Sequence, residues 1–247
     1  MSFVTQHGQR IHYTVAGAGT DPLVVLQHGF LSNARSWTDS GVVDALLGRY
    51  RVACVDSLGH GESDKPADPA RYALAERAAD LIAVIDALDV QRAHVVGYSM
   101  GGWIASGVAL YCPTRLSSLV VGGWDVLKGT AAARAPDSPA LSFEQLLRGA
   151  RSAAPDLVDW VTPEVEPGLR ACWTALDQLA GTGPALLTGT FPVLLWNGRD
   201  DPYHDPMQVF AAANGLQFLS ATGDHTGVRR QHAAESARGL RAFLDSI

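Results

Sequence analysis

The stretch that decides the fold reads Ala93-His94-Val95-Val96-Gly97-Tyr98-Ser99-Met100-Gly101 and runs on as Gly102-Trp103-Ile104-Ala105. Residues 93–97 form a short apolar run of the kind found in a strand buried on both faces. From Met100 to Tyr111 the text reads as a helix, stopped by Pro113. The junction, Gly97-Tyr98-Ser99-Met100-Gly101, has the form G-x-S-x-G. A serine thrust out at the tip of so tight a strand-to-helix turn must adopt a strained backbone conformation. A Cβ two positions before or after it would clash, which accounts for both glycines.

Outward from this turn, apolar strands alternate with helical stretches. Residues 3–6 and 10–15 flank His7-Gly8 and predict a β-hairpin. Buried strands are predicted over 23–27 (LVVLQ), 51–55 (RVACV), 116–121, 192–197 (PVLLWN) and 216–221. Helices are predicted over 37–47, over 74–88 from the spacing of Leu74, Ala78, Leu81, Ile82 and Ile85, and over 228–244. Asp205-Pro206 reads as an N-cap followed by proline at the first helical position, and Asn214-Gly215 as the end of that helix. Strands alternating with helices imply a mostly parallel sheet covered on both faces. The rhythm breaks over 124–190, where Ala, Pro and Gly are frequent and only short helical pieces such as 142–151 appear. The expected organisation is an α/β core over 1–123 and 191–247, with a small helical cap at 124–190 inserted after the sixth strand.

The chain has 247 residues, 47% of them hydrophobic and 18% charged, enough for one large domain with a buried core. A formal net charge of −6 argues against non-specific binding to nucleic acid, and no basic run suggests a membrane-surface patch. Three scattered cysteines, Cys54, Cys112 and Cys172, suit a reducing compartment and form no zinc motif. With neither a secretory leader pattern nor a long apolar stretch, a cytoplasmic protein acting on a small molecule is the expectation. No metal and no cofactor are implied.

Four motifs in order resemble those of the α/β-hydrolase family: His28-Gly29-Phe30 after the third strand, Asp56-Ser57-Leu58-Gly59-His60-Gly61-Glu62-Ser63, Gly198-Arg199-Asp200-Asp201-Pro202, and Asp224-His225. The likeness to the serine-nucleophile, carboxylesterase-like branch spans the whole chain except 124–190. It implies Ser99 as nucleophile and His225 as its base, since His225 leaves the same sheet edge as the serine turn. The family's acid loop points to Asp201 as the third member, with Asp200 and Asp125 as rivals. Asp56 and Ser63 are read as holding their loop, in which Leu58 stands where many relatives carry Arg. The backbone N–H groups of Phe30 and Met100 are the expected oxyanion donors, Met100 standing at a helix start.

This apparatus implies acyl transfer. The expected substrate is a small or medium, mostly uncharged carboxylic ester or lactone, because no clamp for a charged head group stands out. The resemblance also admits thioesters, perhydrolysis, C–C cleavage, and the different role of a slow-turnover receptor. Ser99 argues against the dehalogenases and epoxide hydrolases of this fold, which use Asp. Selectivity is expected from 124–190, with Phe30, Met100 and Trp124 as substrate-binding residues and Trp160, Trp173, Leu146, Leu147 and Leu157 as further candidates.

Overall fold

The structure, a computed structural model, describes every residue except 1, 136, 177 and 178. Among the described residues eight strands form one sheet: β1 (Ser2–Gln6), β2 (Gln9–Ala16), β3 (Leu23–Gln27), β4 (Arg51–Val55), β5 (Ala93–Tyr98), β6 (Leu116–Gly122), β7 (Val193–Gly198) and β8 (Gln217–Ala221). Their spatial order is β1-β2-β4-β3-β5-β6-β7-β8. The hairpin β1–β2 and the pair β2–β4 are antiparallel, and every later pairing is parallel. This is the expected α/β-hydrolase fold. Strand order turns back at β3, and the loops after β3 and β5 open a crevice at that reversal, where open α/β sheets bind ligands.

Alternate residues of each strand feed two cores. Val25, Val95 and Leu195 face one side with α3 (Leu74–Ala87), α4 (Met100–Tyr111) and Met207 of α8 (His204–Asn214). Val24, Val96 and Leu194 face the other with α1 (Arg35–Asp39), α2 (Val42–Leu46) and α9 (Ala233–Asp245). A side chain such as Leu81 or Leu240, fully removed from water, contributes about 1.5–3 kcal/mol.

Between β6 and β7 the described residues are helical or irregular, with α5 (Phe143–Ala153), α6 (Glu166–Ala175) and α7 (Thr182–Thr188). Ser142 caps α5 through a reciprocal pair with Gln145. Leu31, Phe143, Leu147, Val158, Val161 and Leu169 make a third, smaller core over the crevice. Ala185 and Leu186 of α7 instead join the main core beside α4, so the end of this segment packs into the body of the fold. No helix among the described residues is long and apolar enough to cross a membrane.

Three helices begin or break differently from the sequence reading. The helix expected over 37–47 is two short helices, because Gly41 takes φ +74° and the Ser40 N–H turns back to the Ser36 carbonyl. Helix α8 starts at His204 rather than after an Asp205 cap. The Asp201 side chain accepts the Tyr203 N–H at 3.0 Å and the Asp201 carbonyl accepts the His204 N–H at 2.9 Å, closing the turn earlier. The last helix starts at Ala233, not 228. Residues Gly227–Arg229 form a separate 3-10 turn, pinned by the Ser236 hydroxyl donating to the Val228 carbonyl at 2.8 Å. His232 is therefore a cap, not an interior helical residue.

Candidate active site

The turn after β5 is as tight as the glycines require. Ser99 takes φ +57° and ψ −122°, a conformation that costs a non-glycine residue about 1–3 kcal/mol. A Cβ on Gly97 would run into the Gly101 carbonyl, and one on Gly101 into the Gln27 carbonyl at the end of β3. A Cβ on Gly29 would sit 3.0 Å from that of Ser99, so the His28-Gly29 turn abuts the serine.

Ser99, His225 and Asp201 come together from three loops at one sheet edge. Ser99 Oγ lies 3.0 Å from His225 Nε2, and His225 Nδ1 lies 2.7 Å from Asp201 Oδ2. The Asp201 side chain is shut off from solvent, while the imidazole keeps a third of its surface open. A carboxylate on Nδ1 fixes the tautomer with the proton there, leaving Nε2 to accept the Ser99 O–H. The Tyr98 hydroxyl donates to the His225 carbonyl at 2.8 Å, tying the histidine loop to the residue before the serine.

The His225 imidazole pairs with Asp201 rather than with either rival acid. Asp200 is exposed. Asp125 is buried and accepts the Leu127 and Lys128 N–H groups, each at 2.8 Å, capping its own turn. His204 Nδ1 meets Asp205 and Nε2 meets Ser220. Asp224 accepts the Thr226 and Gly227 N–H groups and shapes the loop that carries His225.

The amides of Phe30 and Met100 have no acceptor among the described residues. Two buried histidines shape the loop that presents Phe30. His28 Nε2 accepts the Ser57 N–H at 3.0 Å and its Nδ1–H donates to the Gly29 carbonyl at 2.8 Å. His60 Nε2 accepts the Leu31 N–H at 3.2 Å, where Leu31 holds φ +60°. Burial pushes the His28 imidazole down to about 4 and His60 well below its ordinary value, so both stay neutral and able to accept.

Asp56 accepts the Ala34 N–H at 2.7 Å, the Glu62 N–H at 3.0 Å and the His12 imidazole at 2.8 Å. The Ser63 hydroxyl donates to the Asp56 carbonyl at 2.7 Å. Leu58 is fully buried in the core, and a cation reaches this loop from α3 instead. Arg77 donates to the Ser57 hydroxyl at 2.6 Å while pairing with Asp80 at 2.6 Å.

A cavity of about 640 Å³ opens at Ser99 and His225, walled by Phe30, Leu31, Tyr98, Leu157, Trp160 and Arg229. Two sequence expectations need correction here. The side chains of Trp124 and Met100 do not line this cavity. Trp124 is 2% exposed within the main core beside Tyr203, and Met100 is fully buried against Cys172, their sulfurs 3.6 Å apart. Met100 thus offers only its backbone. Of the residues expected from 124–190, Leu157 and Trp160 reach the cavity. Trp173 packs on Phe30, and Leu147 is buried in the third core. Leu146 is half-buried on α5 and is not among the cavity walls. Arg229 was missed by the sequence reading; the one signal for it is the Arg229-Arg230 pair four residues beyond His225. Among the described residues no three His, Cys, Asp or Glu side chains converge as a metal site requires.

Comparison with known proteins agrees with this architecture. The chain is 26% identical over 232 residues to "3-oxoadipate enol-lactonase 2" of Acinetobacter baylyi, covering 87% of this chain and 82% of that protein. It is 32% identical over 117 residues to "Epoxide hydrolase 3" of Siraitia grosvenorii, covering 47% of this chain and 36% of that one. The matched segment spans only about a third to two fifths of the length of the first such relatives. A solved structure of Est816, described as an N-acyl homoserine lactone degrading enzyme, superposes with a TM-score of 0.77 at 26% identity, over 98% of this chain and 100% of that one. Residues 22–159 match the family described as the alpha/beta hydrolase fold, and the chain belongs to that family.

Proposed function

We propose that this protein is a serine hydrolase that cleaves a small or medium carboxylic ester or lactone through an acyl-enzyme. The observation that carries the reading is the line Ser99 Oγ, His225, Asp201, with contacts of 3.0 and 2.7 Å, at the floor of an open cavity. His225 takes the Ser99 proton as the oxygen attacks the carbonyl carbon, and Asp201 stabilises the imidazolium that results. His225 then gives the proton to the departing alkoxide. Water attacks the acyl-enzyme with His225 again as base, releasing the acid and restoring Ser99.

The unpartnered amides of Phe30 and Met100 are suited to the negative charge that builds on the carbonyl oxygen. Each such donor is worth about 3–4 kcal/mol of barrier in comparable sites. His28 and His60 act one step removed, holding the loop so that the Phe30 amide stays free. A lactone differs from an ester only in keeping its alcohol tethered, and the enol-lactonase and lactone-degrading relatives favour including both classes. Ser99 stands where an epoxide hydrolase would need a carboxylate to attack, so the likeness to that relative is read as one of fold.

The test is steady-state turnover of matched panels of p-nitrophenyl esters, lactones, thioesters and diketones. Sustained hydrolysis of short esters or lactones is expected. Turnover confined to diketones or thioesters, or a single slow burst with no steady state, contradicts the reading.

A further inference from the structure

A cation with no counter-ion among the described residues shares the cavity with Ser99 and His225. Arg229 ends the 3-10 turn four residues beyond His225. Its guanidinium carbon lies 3.7 Å from the centroid of the Trp37 ring and 5.5 Å from that of Tyr98. It donates a hydrogen bond to the Ser36 hydroxyl at 3.2 Å. Among the described residues no carboxylate comes within 4.0 Å of it. Nε is sealed from solvent without an acceptor, while the side chain keeps a partial opening onto the cavity.

Two pairs account for most of the other charges along the walls. Arg230 meets Asp156 at 2.6 Å and Arg35 meets Asp39 at 3.4 Å, all of them on the exposed rim. Asp159 is exposed at the mouth. A stack on Trp37 covers one face of the guanidinium and returns about 2 kcal/mol. That is less than the several kcal/mol it costs to bring a charge out of water. Stacking leaves the in-plane Nη–H donors beyond the Ser36 bond, and the end-on fork they form matches a carboxylate. Burial pushes Arg229 down to about 10, so it remains a cation at neutral pH.

We infer that Arg229 is an anion-binding group of the cavity and that the substrate carries a carboxylate, seated on this guanidinium while its ester or lactone carbonyl meets Ser99. One cation without a second unpaired one beside it suits a monoanion rather than a phosphate dianion. The inference rests on the proposed hydrolase reading and narrows its substrate class. It replaces the expectation of a mostly uncharged substrate.

The experiment measures binding separately from turnover. Calorimetry on Ser99→Ala protein at pH 7.5 compares ethyl pentanoate with monoethyl glutarate, in which a carboxylate replaces the terminal methyl. Monoethyl succinate and monoethyl adipate bracket the spacing. The best hemiester should bind about 10- to 100-fold more tightly than its neutral counterpart, the worth of a charge-assisted hydrogen bond. In Ser99→Ala/Arg229→Gln that ratio should fall to within about threefold, and Arg229→Lys should recover part of it, because a point charge lacks the fork. Using a ratio removes any effect common to both ligands. Should Arg229→Gln fail to fold, the ratio in Ser99→Ala and its reduction in Arg229→Lys still decide. Equal binding of the pair, or a preference that survives Arg229→Gln, overturns the inference and leaves Arg229 as a stacking group alone. Covalent labelling of Ser99 by a fluorophosphonate in the unmutated protein reads the hydrolase proposal independently. Labelling without the carboxylate preference sinks only the substrate inference, and the preference without labelling sinks only the serine reading.

Discussion

Lowering the pH from 7.5 to 5.0 should cost the folded protein about 2 kcal/mol through His28. Its ring is fully buried, with Nε2 accepting from Ser57 and Nδ1–H donating to Gly29, so the neutral form uses both nitrogens. A second proton would break the Ser57 contact and place a charge in a dry site. Burial accordingly pushes its pKa down to about 4, against about 6.5 in the unfolded chain. Between those two values the unfolded chain holds a proton that the folded one refuses. The contribution is therefore complete above about pH 6.5 and is lost as the pH falls toward 4. At pH 5.0 the gap is about 1.5 units, or about 2 kcal/mol. His60, depressed by burial as well, adds in the same direction. Asp80, which burial pushes up to about 6, acts in the opposite direction over part of this window. The measurement is therefore a difference: urea unfolding of the unmutated protein and of His28→Gln, each at pH 7.5 and 5.0. The unmutated protein should lose about 2 kcal/mol more than the variant, a midpoint difference of roughly 1 M urea at an m-value of about 2 kcal/mol/M. Equal losses in the two proteins would refute the claim that a neutral, buried imidazole holds this loop.

Asp201→Asn should lower kcat by about 10⁴-fold, because the amide no longer enforces the tautomer, while Asp200→Asn on the exposed neighbour should change it by less than about twofold; kinetics on both variants checks the assignment. Gly101→Ala should destabilise by about 3 kcal/mol in thermal melts, since the added methyl meets a strand carbonyl that cannot yield. Phe30→Ala should change KM severalfold through the cavity wall, whereas Met100→Leu should leave KM within about twofold, because the methionine side chain lies in the core.

The serine turn was legible because it is written in local sterics. Gly97 and Gly101 are needed whatever the rest of the chain does, and the buried strand and helix on either side are equally local signals. The strand pattern was legible for the same reason, since short apolar runs of five or six residues have few alternatives. Helix starts were less so. At Tyr203 and at His232 the decisive bonds come from the Asp201 carboxylate and the Ser236 hydroxyl, which no local pattern near the helix start announces.

The cavity wall was the least legible part. Trp124 looks like a pocket residue by its place at the sheet edge, yet its ring is consumed by the core between β6 and α4. Arg229 reaches a tryptophan 192 positions earlier in the chain, and its lack of a carboxylate partner among the described residues depends on how distant segments come together. Arg77 likewise serves the Asp56 loop from α3, so the missing arginine at position 58 could not be traced from the loop itself.

The most direct test of the account is rapid-quench mass spectrometry during turnover of a p-nitrophenyl ester. The account predicts an acyl increment on the tryptic peptide that contains Ser99, absent in Ser99→Ala and formed at least about 10⁴-fold more slowly in His225→Ala. An acyl group on any other residue, or acylation of Ser99 at an undiminished rate without His225, would contradict it.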